Sequence, residues 1–535
     1  LTRNGGTVAL TGGANPTYPA IALKGTVTVG GSQASQINYV SGNFSRISIG
    51  DNNLGATVFD VADATGDASA DLTIGAVVQN NSPIGGNSLT KNGAGTMELT
   101  STNTYTGTTT VNEGTLRMVN SATGYAIRGG HNYSVASGAT LEFNRIGGLD
   151  SPGTFNLSGS GIFKKSGSEE IIQTSAGSNV NMGSGALFHV ESGIYRFGAD
   201  GIGDWSSNLS DMQVDSGATF NGAATPTVVD ALNGSGTVIT SGGITVGVDN
   251  GTGSFSGVIT DGTHNGTPSF TKNGSGTQTL SGNNTYTGTT TVNEGTLRMV
   301  NSATGYAIRG GHNYSVASGA TLEFNRIGGL DSPGTFNLSG SGIFKKSGSE
   351  EIIQTSAGSN VNMGSGALFH VESGIYRFGA DGIGDWSSNL SDMQVDSGAT
   401  FNGAATPTVV DALNGSGTVI TSGGITVGVD NGTGSFSGVI TDGTHNGTPS
   451  FTKNGSGTQT LSGNNTYTGD TTVNGGTLVI DGNQASATGA ITINVNGSLA
   501  GSGTIGASLL TVKGVLAPGN SPGTLATGDQ LWNDG

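Results

Sequence analysis

The sequence has no cysteine, only 11 prolines and few charges: Asp, Glu, Lys and Arg together make up 10% of 535 residues. Without cysteine a disulfide scaffold is impossible. Collagen needs much proline and glycine at a strict period of three, and neither is present. Aromatic residues amount to 6%. No run of 18 apolar residues occurs, so nothing here spans a membrane as a helix. Basic residues number 19 against 36 acidic ones, a net charge of −17. That balance argues against a nucleic-acid partner, which calls for a basic surface. Disordered chains pair low hydrophobicity with high charge, and this chain is low in both. It shows no signal peptide and does not start with Met. It begins inside a pattern at Leu1 and stops at Asp534-Gly535, so it reads as a fragment of a longer protein. The lack of cysteine fits an exported bacterial surface protein.

What is abundant is glycine, with 98 residues. At about 1 kcal/mol per helical position relative to alanine, that content excludes a helical protein. Together with Thr, Ser, Asn and Val it reads as strands separated by turns. Length alone suggests several domains, but internal repeats come first. The segment NTYTG recurs at Asn103, Asn284 and Asn465, 181 residues apart each time. Residues 103–288 and 284–469 match letter for letter. The six histidines are therefore three positions copied: His131, His189 and His264, then His312, His370 and His445. The chain divides into residues 1–102, with a first module at 89–119, then 103–283, its identical copy 284–464, and 465–535, which holds a partial third copy and terminal rungs.

A shorter, degenerate period lies inside the long one. Val135–Leu141 and Val214–Phe220 share the form V-x-x-G-A-T-[LF], and Val111–Leu116 is a close variant. Apolar alternation follows each glycine turn, as in Ala139-Thr140-Leu141-Glu142-Phe143. Period-two alternation punctuated by glycine indicates half-buried strands. Sandwich domains, a propeller and a solenoid all use many short strands. Irregular spacing without linkers selects the solenoid, because each rung contacts only its neighbours and insertions become loops. At ~22 residues and ~4.8 Å per rung, the chain would hold ~24 rungs over ~115 Å, and one 181-residue unit ~8 rungs over ~40 Å.

Residues 89–119 read LTKNGAGTMELTSTNTYTGTTTVNEGTLRMV, and the module returns at 270–300 and 451–480. It closely resembles the autotransporter-associated β-strand repeat of bacterial autotransporter passengers and related giant surface proteins. The resemblance covers about 90 residues. The tail, Gly497–Gly506 followed by Gly514–Leu525, looks like the terminal rung pair common after such repeats. The resemblance implies an all-β, right-handed parallel β-helix in an elongated rod, exposed outside the cell or on the bacterial surface. It implies no particular activity. An autotransporter would continue into a membrane β-barrel, and none is visible in this sequence, which leaves the export route open.

Several motifs could carry chemistry. Gly519-Asn520-Ser521-Pro522-Gly523 fits the nucleophile elbow, but that motif needs a strand-turn-helix context and a downstream histidine; no histidine follows His445. It reads as a corner. Gly501–Gly506 fits G-x-G-x-x-G without the helix a dinucleotide site requires. The best carboxylate cluster is Asp200 and Asp204, with Asp211 and Asp215 nearby, copied at Asp381, Asp385, Asp392 and Asp396. Gathered on one edge, Asp200, Asp204, Asp381 and Asp385 could bind calcium, the one cofactor considered, or act as acid and base on a polysaccharide. The plainer expectation is a solvated loop protruding around Trp205. Lys164-Lys165 and Glu169-Glu170 read as an ordinary rung whose charges face water, with Lys165-Ser166-Gly167 aligned on Lys91-Asn92-Gly93. His131 and His189 are expected at the surface rather than as metal ligands. Thr108-Thr109-Thr110 could form an exposed ladder. Tyr105, Tyr286 and Tyr467 are taken as exposed aromatics with a turn-packing role.

These features point to a structural or adhesive module rather than an enzyme, because near-perfect copies suit a function that scales with length. The partners expected are a host or neighbouring cell surface, glycans, or further copies of the chain. The alternatives are a self-associating extracellular filament and a polysaccharide-processing β-helix.

Overall fold

The computed structural model describes residues 1–11, 21–41, 46–51, 55–81, 85–120, 132–146, 154–173, 177–197, 203–263, 266–301, 313–327, 335–354, 358–378, 384–444, 447–519, 524–527 and 530–532. Every regular element among them is a β-strand, and every strand pairing is parallel. No helix of the described residues is long and apolar enough to cross a membrane, a finding that leaves β-barrels aside. The fold is a parallel β-solenoid. Its chain divides into two compact units, Leu1–Pro268 and Ser269–Gly535.

In the first unit each turn lays strands on successive faces. One face stacks Ala56–Val61, Ser88–Asn92, Thr109–Val111, Asn132–Val135, Asn156–Gly159 and Asn179–Met182. The next stacks Leu72–Ile74, Thr96–Leu99, Thr115–Asn120, Thr140–Arg145, Ile162–Ser166, Leu187–Val190 and Asp211–Val214. A third stacks Glu170–Gln173, Ile194–Phe197, Thr219–Ala223, Thr237–Thr240 and Val258–Asp261. The alternation read from the sequence decides the facing. In Leu187–Val190, Phe188 and Val190 are buried while Leu187 and His189 look outward. In register, like positions stack rung on rung, as in the inward column Leu99, Met118, Phe143, Lys165, Val190 and Val214.

The second unit contains one whole period. From Thr296 the register steps through Thr321, Ile343, Leu368, Asp392, the Leu413 strand, the Phe436 strand and the Leu461 strand to Thr477. Those eight steps equal the sequence estimate. The uniform ~22-residue rung does not hold. Steps run from 17 residues, between Thr227 and Ile244, to 37, between Ser35 and Leu72. The longest step carries an extra loop, residues 62–71, between Ala56–Val61 and Leu72–Ile74.

Glycine supplies the corners. Gly114 has φ +62°, and a Cβ there would sit 2.5 Å from the carbonyl oxygen of Gly95 in the preceding rung. No larger residue fits both the left-handed backbone and the close rung-to-rung approach. In the third module Gly475 stands where Glu113 and Glu294 stand in the first two. There the strand Thr471–Ile480 runs straight through the corner and pairs with Ile491–Gly501.

Candidate functional site

The repeated module is best understood from its lysine. Lys91 lies on the inward side of Ser88–Asn92 and is fully buried. Its Nζ donates to the carbonyl oxygens of Asn92 (3.0 Å), Gly93 (2.7 Å) and Glu113 (3.1 Å). These are corner carbonyls of two adjacent rungs, which no strand ladder can satisfy. Burial pushes the ammonium down to about 8. Lys453 repeats the arrangement on Asn454, Gly455 and Gly475.

Lys165 does the same on another face, donating to Ser166, Gly167 and Ser192, each at 2.8 Å. The alignment of Lys165-Ser166-Gly167 with Lys91-Asn92-Gly93 is therefore structurally real. The expectation that the charges of this rung face water holds for Lys164, paired with Glu191 at 2.6 Å, and for Glu170, paired with Arg196 at 2.6 Å. It fails for Lys165, which alternation turns inward and whose ammonium replaces the missing corner donors. The signal in the sequence was K-[NS]-G at a strand end.

Three further expectations need correction. Tyr105 is 1% exposed, not a surface aromatic; its hydroxyl lies 2.7 Å from Thr109 Oγ1, and burial pushes it up to about 12. Tyr286 and Tyr467 make the same bond to Thr290 and Thr471. The turn-packing role stands. Thr109 is buried in making that bond, so the threonine triplet is not a flat array. Trp205 does not sit in a protruding loop: it is 1% exposed and packs edge-on against Phe188, Phe197 and Phe220 at 5.0–5.8 Å.

Of the acidic cluster, Asp200 and Asp381 lie outside the described residues. Asp204 is exposed, pairs by backbone with Asn179 and accepts the Ser206 N–H at 2.8 Å. Asp211 lies on the Leu187 face, where burial and then Asp230 raise its carboxyl. Asp215 accepts from His189, 2.8 Å away, and from Gln213. The same contacts recur at Asp385, Asp392 and Asp396. Among the described residues, no three acidic or histidine groups gather as a metal site. His189 is an outward-facing residue as expected; His131 and His264 fall outside the described residues, as do Asn520–Gly523.

The outward column of this face went unnoticed in the sequence. In register it runs Glu98, Arg117, Glu142, Lys164, His189 and Gln213. From Glu98 to Lys164 the signs alternate at the inter-strand spacing. Arg117 bonds Glu142 at 2.9 Å and approaches Glu98 at 3.5 Å, while Glu142 also accepts from Ser166 at 2.6 Å. These partners hold the Glu142 carboxyl below its usual range despite burial, which opposes them.

Stacked parallel rungs closed by buried lysine and tyrosine plugs define a β-solenoid repeat protein. Residues 89–118, 270–299 and 451–480 match the passenger-associated-transport-repeat family. The chain thus carries the autotransporter passenger repeat three times, in the segments that hold Lys91 with Tyr105, Tyr286, and Lys453 with Tyr467. Repeats and fold together fit an autotransporter passenger domain and imply secretion to the cell surface or the extracellular space. Comparison with curated proteins and with solved structures gives no match.

Proposed function

We propose that this chain is a length-setting passenger module of a bacterial surface protein, a stalk that also presents its outer faces repeatedly. One observation carries the reading. The duplicated rungs keep the same bonds, with Lys165 and Lys346, His189 and His370, and Tyr105, Tyr286 and Tyr467 identically engaged. The lysines and tyrosines among them close the solenoid. A copied catalytic centre would bring little, whereas a copied set of rungs adds length.

Removing residues 284–464 joins identical sequence to identical sequence and deletes one eight-step period. The maximum dimension by small-angle scattering should shorten by ~38 Å, eight inter-strand spacings. An unchanged long dimension would sink the spacer reading. The partners proposed are glycans or a neighbouring cell surface; association into filaments would show as mass growth with concentration in light scattering. A calcium site would have to bring Asp200 and Asp381 to Asp204 and Asp385. Unfolding temperatures that are equal in calcium and in EDTA would remove it.

A further inference from the structure

In the first unit the face bearing the charge ladder carries a groove. The loop of residues 62–71 supplies the wall. It is a built structure, not slack chain. Asp71, fully buried, accepts the N–H groups of Ala64 (2.7 Å), Thr65 (2.8 Å) and, across the rung, Thr96 (2.7 Å). Asp63 and Asp67 close smaller turns onto Gly66 and Ser69. Arg117, already clamped by Glu98 and Glu142, donates a further bond from Nη2 to the Ala68 carbonyl at 3.3 Å. The groove so enclosed measures about 380 Å³, within the range of small-ligand sites.

Its floor has two parallel rows. One runs Thr96, Thr115, Thr140, Ile162 and Leu187, a strip of methyl groups and hydroxyls. The other is the Arg117, Glu142, Lys164 and His189 ladder. Each basic group in that row has an acidic partner: Arg117 with Glu98 and Glu142, Lys164 with Glu191, and the His189 ring with Asp215. The row therefore presents many directional N–H groups with little net positive field. A chain of net charge −17 also repels polyanions. Hydroxyl-rich, uncharged ligands match such a surface: sugar C–H faces lie on the apolar strip while their hydroxyls bond the ladder.

We propose that the groove between residues 62–71 and the Thr96–Val190 rungs binds a neutral oligosaccharide. This rests on the reading of the chain as surface-exposed, and it assigns one glycan site rather than a repeated one. The duplication supplies the control. Arg298, Glu323, Lys345 and His370 rebuild the ladder in the second unit. Residues 62–71 precede the duplicated segment, and the residues 181 positions later, 243–252, are the strand Ile244–Val246 and a short corner of six residues after it. Glu98 becomes Thr279, and Arg298 keeps Glu323 at 3.5 Å.

The test uses the whole chain and calorimetric titration with cellohexaose, maltohexaose, mannohexaose and chitohexaose, and with hexagalacturonate as the anionic probe. At least one neutral hexamer should bind saturably. Ala68→Trp, which fills the groove without removing a loop bond, and Lys164→Ala should each weaken binding at least tenfold. Lys345→Ala should leave it unchanged. Tryptophan emission checks that the variants fold. Saturable binding of no neutral hexamer, binding of hexagalacturonate alone, or equal losses from Lys164→Ala and Lys345→Ala would each overturn the proposal. None of these outcomes bears on the scattering measurement, so the spacer reading stands or falls separately.

Discussion

At the scale of single residues, the solenoid depends on groups that sequence reading would send to the surface. Replacing Lys165 with Met keeps the volume but takes the ammonium from three carbonyl oxygens, of which Gly167 alone keeps a donor, the Ser192 hydroxyl at 3.3 Å. The expected loss is about 3 kcal/mol, read as a lower urea midpoint for the Trp205 emission change; an unshifted midpoint would show the plug to be dispensable. The lysines also give stability a pH dependence. Burial lowers Lys91, Lys165 and Lys346 from the usual 10.5 to about 8. Between those values the unfolded chain holds protons that the folded chain has shed, so stability rises with pH across that window. The tyrosines act oppositely. Tyr105 and Tyr467 are raised from 10 to about 12, so the stability they contribute, full below pH 10, is lost as pH rises toward 12. Urea midpoints should therefore climb from pH 8 to near 10 and fall beyond it. A monotonic fall from pH 8 would refute the lysine contribution.

Those plugs mark how far the sequence was legible. The alternation read in Ala139–Phe143 holds, with Leu141 and Phe143 buried, because facing follows from the period of two. The same rule turns Lys165 inward, yet its charge argued for water. Only the stacked corners show that three carbonyls of two rungs converge at that spot. Trp205 was misplaced for a related reason. Its neighbours in sequence are Asp204 and serines, while its neighbours in space are Phe188, Phe197 and Phe220. The charge ladder escaped notice altogether, since its members lie roughly one rung apart along the chain and meet only through register.

At the scale of elements, the rungs of one period are not alike. Nine aromatic side chains, from Tyr133 to Phe220, form a contiguous interior cluster with centroids 4.7–6.5 Å apart. The following rungs to Pro268 contain only Phe255. Aromatic pairs add ~0.5–1.5 kcal/mol each beyond burial. Trp205→Ala should cost ~3–5 kcal/mol through the cavity it leaves, and wild-type Trp205 should emit in the blue as a buried indole. Emission typical of solvated indole would return Trp205 to the loop that the sequence suggested.

At the scale of the whole molecule, stability in a solenoid is a sum over rungs and their interfaces. Native-state hydrogen exchange should then follow composition, with amides of 227–261 and 408–442 exchanging faster than those of 133–220 and 314–401. Uniform protection over both stretches would mean that the period unfolds as one block. The identical copies should also show matched protection at equivalent positions away from their ends, because identical rungs have identical neighbours there.

The sequence by itself determined the strands, the inward and outward faces, the eight-step period and the passenger repeat. Each is a local pattern or a copy, readable along one dimension. The tertiary structure decided what depends on vertical stacking: that lysines plug corners, that Trp205 is core, that alternating charges form one ladder, and that residues 62–71 wall a groove over it. Rungs of 17 to 37 residues bring together positions whose spacing in the chain follows no fixed rule, so their chemistry emerges only once register is set.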